Sequence, residues 1–262
     1  GLPEAACAIN LCEDRYRFVV AFCAVALRGQ INLLPSSRAP NAIEDVRRQY
    51  PDSYCVSDVD LSPGPTRLHV LPETLSTRDG SALDTGIPEV DANAVAMIGF
   101  TSGSTGVPKG VPIRQSNVLA YLKEMERIAA PTATDRFTQL FEFTFDLSVH
   151  DIFLCWAAGG TLVVPSREQL LAPAAFVRAN AITCWFAVPS MALLMDRMRT
   201  LKPGAMPSLR FSAFCGEPLP VDLVRKWSDA APNSRLLNLY GPTEATIAIT
   251  AHEWDSKEER AH

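Results

Sequence analysis

Apolar and polar positions along the chain change period every ten to fifteen residues. Residues Ala5–Leu11 form a short apolar run that predicts a buried strand, and Asp14–Arg28 carries helical spacing with Gly29 placed as its C-cap. Ile31–Leu34 predicts the next strand, ended by Pro35. Ala42–Tyr50 predicts a helix and Ser53–Ser57 a strand. Strand, helix and strand in repetition predict an α/β fold with a largely parallel sheet. Leu61–Val90 breaks this rhythm with seven Pro and Gly residues from Pro63 to Pro88. It predicts a long surface connection, with one short strand near Leu68–Leu71, at a boundary between subdomains.

Order returns at Ala94. Strands are predicted at Val95–Phe100, Gly110–Ile113, Phe137–Leu140, Thr161–Val164, Thr183–Ala187, Arg210–Phe214, Leu236–Tyr240 and Ile247–His252. Helices are predicted at Ser116–Ala129, capped by Ser116 or Asn117, and at Ser148–Ala158, Pro173–Asn180, Pro189–Arg199 and Pro220–Ala230. The expected organisation is a partial first α/β subdomain with its connection over 1–90 and a nucleotide-binding core over 91–262.

Composition narrows the function classes. With 47% hydrophobic and 20% charged residues over 262 positions, the chain suits a soluble globular protein with a sizeable core. A net charge of −5 gives no basic footprint for nucleic acid or anionic lipid. Phe18–Leu27 is too short to span a membrane, and no signal peptide is visible. Seven cysteines form no C-x-x-C pair, which reads as reduced thiols of a cytoplasmic protein. The four histidines are isolated, so no metal-ligand spacing emerges from them.

The strongest chemical signal is Thr101-Ser102-Gly103-Ser104-Thr105-Gly106-Val107-Pro108-Lys109-Gly110, directly after a predicted buried strand. Its glycines let backbone N–H groups converge on one anion, its hydroxyls add neutral donors, and Lys109 adds a point charge. That combination suits a phosphate chain. It is not a G-x-x-x-x-G-K-[ST] loop, because Gly110 follows Lys109 where a Ser or Thr would be needed. A plain flexible Ser/Gly loop is the competing reading.

The block FTSGSTGVPKGV, Phe100 to Val111, resembles the signature of the adenylate-forming enzymes: acyl-CoA synthetases, carrier-protein adenylation domains and luciferases. Two further blocks match in the same order, FTFDLSVHDIFLCWAAGGTLVVP from Phe143 and NLYGPTEATIAIT from Asn238. The resemblance covers nearly the whole chain and starts inside the family's N-terminal region. It implies two stacked, mostly parallel αβα subdomains.

The resemblance also implies roles. Thr101 to Thr105, Gly106 and Lys109 would clamp the ATP β- and γ-phosphates. Tyr240 would stack on adenine, Asn238 would read its amino group, and Gly216, Glu217, Pro218 and Gly241 would line the nucleotide. Thr243 would contact the α-phosphate and Glu244 would hold Mg2+. The implied reaction joins a carboxylate to AMP, releases pyrophosphate, and hands the acyl group to a phosphopantetheine arm on a carrier protein, or to CoA.

Asp146 decides the acid. In the amino-acid-activating branch an aspartate here pairs with the substrate ammonium; the competing reading is that Asp146 is only a helix N-cap. Leu147, His150, Phe186, Ala213, Cys215, Leu239, Ile247 and Ala248 align with pocket positions and imply a small side-chain pocket. FDLSV and FCGE are similar to the D-alanine–carrier protein ligase branch. His150 departs from what that branch implies; it reads either as a pocket group or as a core histidine. Cys215 likewise reads as a buried thiol or as a shaper of the site.

Three features of the family would lie past His262: an aspartate on the ribose hydroxyls, a hinge, and a lysine on a small mobile lid domain. Alone, the chain is therefore expected to bind ATP weakly and to adenylate poorly. The alternatives are an acyl- or aryl-acid ligase, with Asp146 only a cap, and a non-catalytic adenine-nucleotide-binding module.

Overall fold

A computed structural model describes residues 2–61, 67–71, 90–102 and 108–255. Gly103, Ser104, Thr105 and Gly106 lie outside the described residues, as does most of the predicted surface connection. The chain forms two compact units: residues 1–118 with 143–145, and residues 119–142 with 146–262.

The first unit holds strands β1 (Cys7–Asn10), β2 (Ile31–Leu34), β3 (Ser53–Ser57), β4 (Leu68–Val70), β5 (Val95–Ser102) and β6 (Pro108–Arg114). Their order is β4-β3-β1-β2-β5-β6. All neighbours are parallel except β5 and β6, which form an antiparallel pair at one edge. Helix α1 (Arg15–Leu27) starts where Asp14 accepts a hydrogen bond from the Arg17 amide at 2.9 Å. It ends where Gly29 takes φ +69°, the left-handed conformation that the sequence expectation required. Helix α2 (Pro40–Gln49) starts on Pro40, whose missing N–H costs nothing at that place. Ile9, Leu33, Val46, Cys55, Ile98 and Phe100 pack the core of this unit.

The second unit holds β7 (Arg136–Thr138), β8 (Thr161–Val163), β9 (Cys184–Ala187), β10 (Phe211–Phe214), β11 (Arg235–Tyr240) and β12 (Thr250–Glu253). The order is β12-β11-β10-β9-β7-β8, again parallel except for the edge pair β11 and β12. The helices are α3 (Gln115–Ala129, whose start belongs to the first unit), α4 (Leu147–Ala157), α5 (Pro173–Ala179), α6 (Pro189–Arg197) and α7 (Val221–Ala230). Trp185, Phe214 and Trp227 interlock in the core, with Trp185 and Trp227 ring centroids 5.3 Å apart. The Trp227 indole N–H donates to Ser212 Oγ at 3.0 Å, so its polar edge is satisfied inside an apolar cluster.

An ion pair between buried Asp135 and half-buried Arg210 ties the sheet to the end of α3. Asp135 accepts from the Arg210 guanidinium, from Thr183 Oγ1 at 2.7 Å and from the Thr132 amide at 2.7 Å. Arg210 also donates to the Ala129 carbonyl at 2.9 Å, supplying a partner to an orphan group of the helix terminus.

Three expectations need correction. The α3 helix begins at Gln115, so Ser116 and Asn117 are helical; Asn117 instead accepts from the Arg114 amide at 3.1 Å. The last strand begins at Thr250, not Ile247, because residues 243–249 form a turn. Strands β5 and β6, expected with the later segment, complete the first sheet, with Asn32 in register with Met97. No described helix is long and apolar enough to cross a membrane.

Candidate functional site

Each sheet carries one of the sequence motifs in its edge hairpin. In the first unit the hydroxyl-rich segment joins β5 to β6. Thr101 stands opposite Lys109 and Ser102 opposite Pro108, so the ladder fixes both ends of the segment. Thr101 is half-buried and Lys109 is exposed. Gly110 is needed here for space. A Cβ would meet the Tyr50 hydroxyl at 2.7 Å and Ile98 Cγ2 at 3.0 Å. Tyr50 stands edge-on to Phe100 with centroids 6.0 Å apart, and Gln49 Nε2 donates to the Pro108 carbonyl at 3.0 Å. Helix α2 thus braces the base of the hairpin.

In the second unit the corresponding hairpin joins β11 to β12. Asn238 and Tyr240 are exposed on β11, whereas Leu239 between them is buried, the alternation of a strand with one covered face. The chain then turns through Gly241 and Pro242 into one 3-10 turn, Thr243–Ala245. Gly241 admits no side chain, since a Cβ would lie 2.6 Å from Ala248 Cα and 2.9 Å from the Ile247 carbonyl oxygen. Thr246 and Ile247 then take φ +63° and +70°. Two consecutive β-branched residues in the left-handed region are costly. The turn closes where the Ile249 amide donates to the Tyr240 carbonyl at 2.9 Å. Thr243 is half-buried and Glu244 exposed.

Asp146 meets this turn. It precedes α4 with helical dihedrals, and its side chain makes no capping bond to that helix. Its Oδ2 instead accepts from the Ile247 amide at 3.2 Å. Burial raises the Asp146 pKa, and the Glu244 charge adds to that. The amides of Ile247, Leu147 and Asp146 itself pull the other way. Cys215 holds the far side of the same residue, its S–H facing the Ile247 carbonyl at 3.9 Å. Burial pushes the Cys215 thiol up to about 11, so it is an inert, protonated group at neutral pH.

The other candidate residues of this unit fall around the same strand ends. Ala213 pairs in register with Phe186 on β9, and Phe214 with Asn238 on β11. Gly216 takes φ +89°, and a Cβ there would sit 3.6 Å from Leu147 Cδ1. Glu217 is exposed and bonded. Its carboxylate accepts from the Ser190 amide at 2.8 Å and from the Ser190 hydroxyl at 3.0 Å, capping the start of α6. Pro218 is exposed and Ala248 half-buried.

His150 is buried, with its ring 4.2 Å from that of Phe186 and its Nδ1 hydrogen-bonded to the Tyr121 hydroxyl at 2.9 Å. Burial drives its pKa down to about 3, so the imidazole is neutral. The sequence reading missed Tyr121, although its spacing with Met125 and Ala129 marks the buried face of α3. It also missed Glu217 as a cap, which no local pattern signals across 27 positions.

Among the described residues no group of three or more His, Cys, Asp or Glu is placed to hold a metal ion. Glu244, exposed at the turn, offers one carboxylate of the kind that holds magnesium together with phosphates and water.

Comparison with known proteins bears on these motifs. The chain is 33% identical over 177 residues to the D-alanine--D-alanyl carrier protein ligase of Bacillus licheniformis, a match that covers 64% of this chain and 35% of that ligase. It is 35% identical over 193 residues to an L-proline--[L-prolyl-carrier protein] ligase of Pseudomonas fluorescens, covering 70% and 38% respectively. The Vibrio cholerae adenylation domain AlmE, solved with glycyl-adenosine-5'-phosphate, superposes with a TM-score of 0.81 at 29% identity, over 96% of this chain and 53% of that one. The chain therefore spans about a third of the length of these curated relatives and about half of that solved domain. The family model described as AMP-binding enzyme matches residues 11–262, and the chain belongs to that family.

Proposed function

We propose that the whole protein activates a small amino acid as its aminoacyl-adenylate and passes it to the phosphopantetheine thiol of a carrier protein. One observation carries the amino-acid reading. Asp146 stands at a helix start but does not cap the helix; its half-buried carboxylate turns instead to the strand-end turn around Ile247. A carboxylate placed so, with its charge raised in cost by burial, gains from a substrate ammonium. At about 4 Å and intermediate dielectric such a contact is worth about 4 kcal/mol before desolvation, enough to favour amino acids over plain acids. The names of the relatives support the same reading, since two are ligases of amino acids to carrier proteins and the third was solved with a glycyl adenylate.

The remaining roles follow the motifs. Thr101, Ser102 and Lys109 serve the ATP phosphates, with Gly103, Ser104, Thr105 and Gly106 between them. Exposed Tyr240 offers its ring to adenine and exposed Asn238 its amide. Thr243 and Glu244 face the reacting phosphate. Magnesium, held through Glu244, supplies charge neutralisation of the phosphates. The substrate carboxylate attacks the α-phosphorus and pyrophosphate leaves. This chain's residues position the partners and stabilise the charge that grows on oxygen.

The test is ATP–pyrophosphate exchange on the whole protein with glycine, alanine, proline, propionate and benzoate. The expected outcome is exchange that depends on one or more of the amino acids. Exchange driven by propionate or benzoate and by none of the amino acids would overturn the reading.

A further inference from the structure

We infer that Asp146 is also a positioning residue for the nucleotide-facing turn 243–247. This rests on the reading above that Thr243 and Glu244 face the nucleotide.

The observations concern how the turn is held. Thr246 and Ile247 both sit in the left-handed region, where β-branched side chains carry a penalty. Neither residue is there for want of alternatives, since the segment Ile247–Thr250 has strand composition. Something must outweigh the extended conformation. Inside the turn, the Ala245 and Thr246 amides bond back to Pro242 and Thr243, and the Ala248 amide bonds to the Thr246 carbonyl. The last of these closes a three-residue turn around Ile247 and favours its positive φ, but none of them takes up the Ile247 N–H or C=O itself. Its amide is held from outside by Asp146 Oδ2 and its carbonyl faces the Cys215 S–H. A thiol is a weak donor. The charged acceptor is therefore the stronger of the two clamps.

The consequence is a coupling between two roles. A carboxylate has lone pairs for several donors. Asp146 can keep the Ile247 amide while meeting a substrate ammonium. Losing the carboxylate removes the ammonium partner and also frees the turn that carries Thr243 and Glu244. Losing only the charge does the first and not the second.

Two variants separate these effects. Asp146→Asn keeps an oxygen to accept from the Ile247 amide but removes the charge. Asp146→Ala removes both. Hydrogen exchange of the Ile247 amide and equilibrium binding of Mg·ATP, with no amino acid present, are measured on the whole protein. In Asp146→Ala the amide is expected to exchange about tenfold faster and Mg·ATP to bind several-fold more weakly, as for loss of one charge-assisted hydrogen bond. In Asp146→Asn the amide is expected to exchange no more than about threefold faster, since a neutral acceptor keeps about half of the bond, and Mg·ATP binding to stay within about twofold of the parent. Parent-like values in Asp146→Ala would overturn the inference, and so would an Asp146→Asn that behaves as Asp146→Ala does. Failure of the amino-acid reading shows elsewhere, as pyrophosphate exchange in which Asp146→Asn uses amino acids as well as the parent; it leaves the turn result intact.

Discussion

Asp146 and His150, four positions apart at the start of α4, are both pushed by burial towards their neutral forms, and differ in what surrounds them. Asp146 keeps hydrogen-bond partners and a nearby Glu244 charge, whereas His150 is buried and bonded to the neutral Tyr121 hydroxyl. The His150 pKa is pushed down to about 3, against about 6.5 in an unfolded chain. As pH falls below about 6.5 the unfolded state takes up a proton that the folded state refuses, so stability falls with pH through that window. Asp135 adds to this at lower pH. Arg210, Thr183 and Thr132 hold its carboxyl well below the usual range, so its contribution is present above about pH 4 and is lost on further acidification. Urea denaturation at about pH 7.5, 5.5 and 4.0 should show a progressive loss that His150→Gln flattens between about 6.5 and 4. Stability that does not change across that range would contradict this assignment. The buried state of His150 was open in the sequence, where it read equally as a pocket group. Only Tyr121 and Phe186, 29 and 36 positions away, resolve its surroundings.

At the scale of elements, period and punctuation were legible. The helix read over Asp14–Arg28 is found as α1 with Asp14 as its N-cap and Gly29 just past its end, and Pro173 and Pro189 open α5 and α6. The failures lie where distant groups decide. Ile247 has the composition of a strand, yet the close approach of Gly241 to residues 247–249 and the Asp146 bond hold it in a turn. Two glycines illustrate the difference in tolerance. At Gly241 the obstructing atoms are backbone, so Gly241→Ala must open the hairpin. At Gly110 the nearest atom is the end of the Tyr50 side chain, which can shift. Thermal melts of the two variants should show Gly241→Ala costing more than about 2 kcal/mol and Gly110→Ala clearly less. A reversed order would contradict the steric account of the turn.

At the scale of the molecule, two sheets of like design recur: five parallel strands and one antiparallel edge strand, with a motif in each edge hairpin. The alternating fold class was legible because buried parallel strands are apolar runs separated by amphipathic helices. The division into units was not. The Pro- and Gly-rich tract from 61 to 90 read as a boundary, yet β5 and β6 beyond it pair into the first sheet, because β2 needs a parallel neighbour on its free edge. Strand pairing across more than sixty residues leaves no local trace in composition. Of the candidate site, the two motif segments were legible as the stretches that the structure places in the edge hairpins. The clamp on Ile247 and the Glu217 cap were not, since both join distant segments. The central claim is that this fold, with Asp146 at the strand ends of its second sheet, selects an acid by its ammonium. The most direct measurement is the ratio of ATP–pyrophosphate exchange supported by the best amino acid to that supported by its deaminated analogue, in the whole protein and in Asp146→Asn. The account predicts a ratio above about a hundredfold that falls by at least about tenfold in the variant; a ratio near one in the parent, or one unchanged by the substitution, would contradict it.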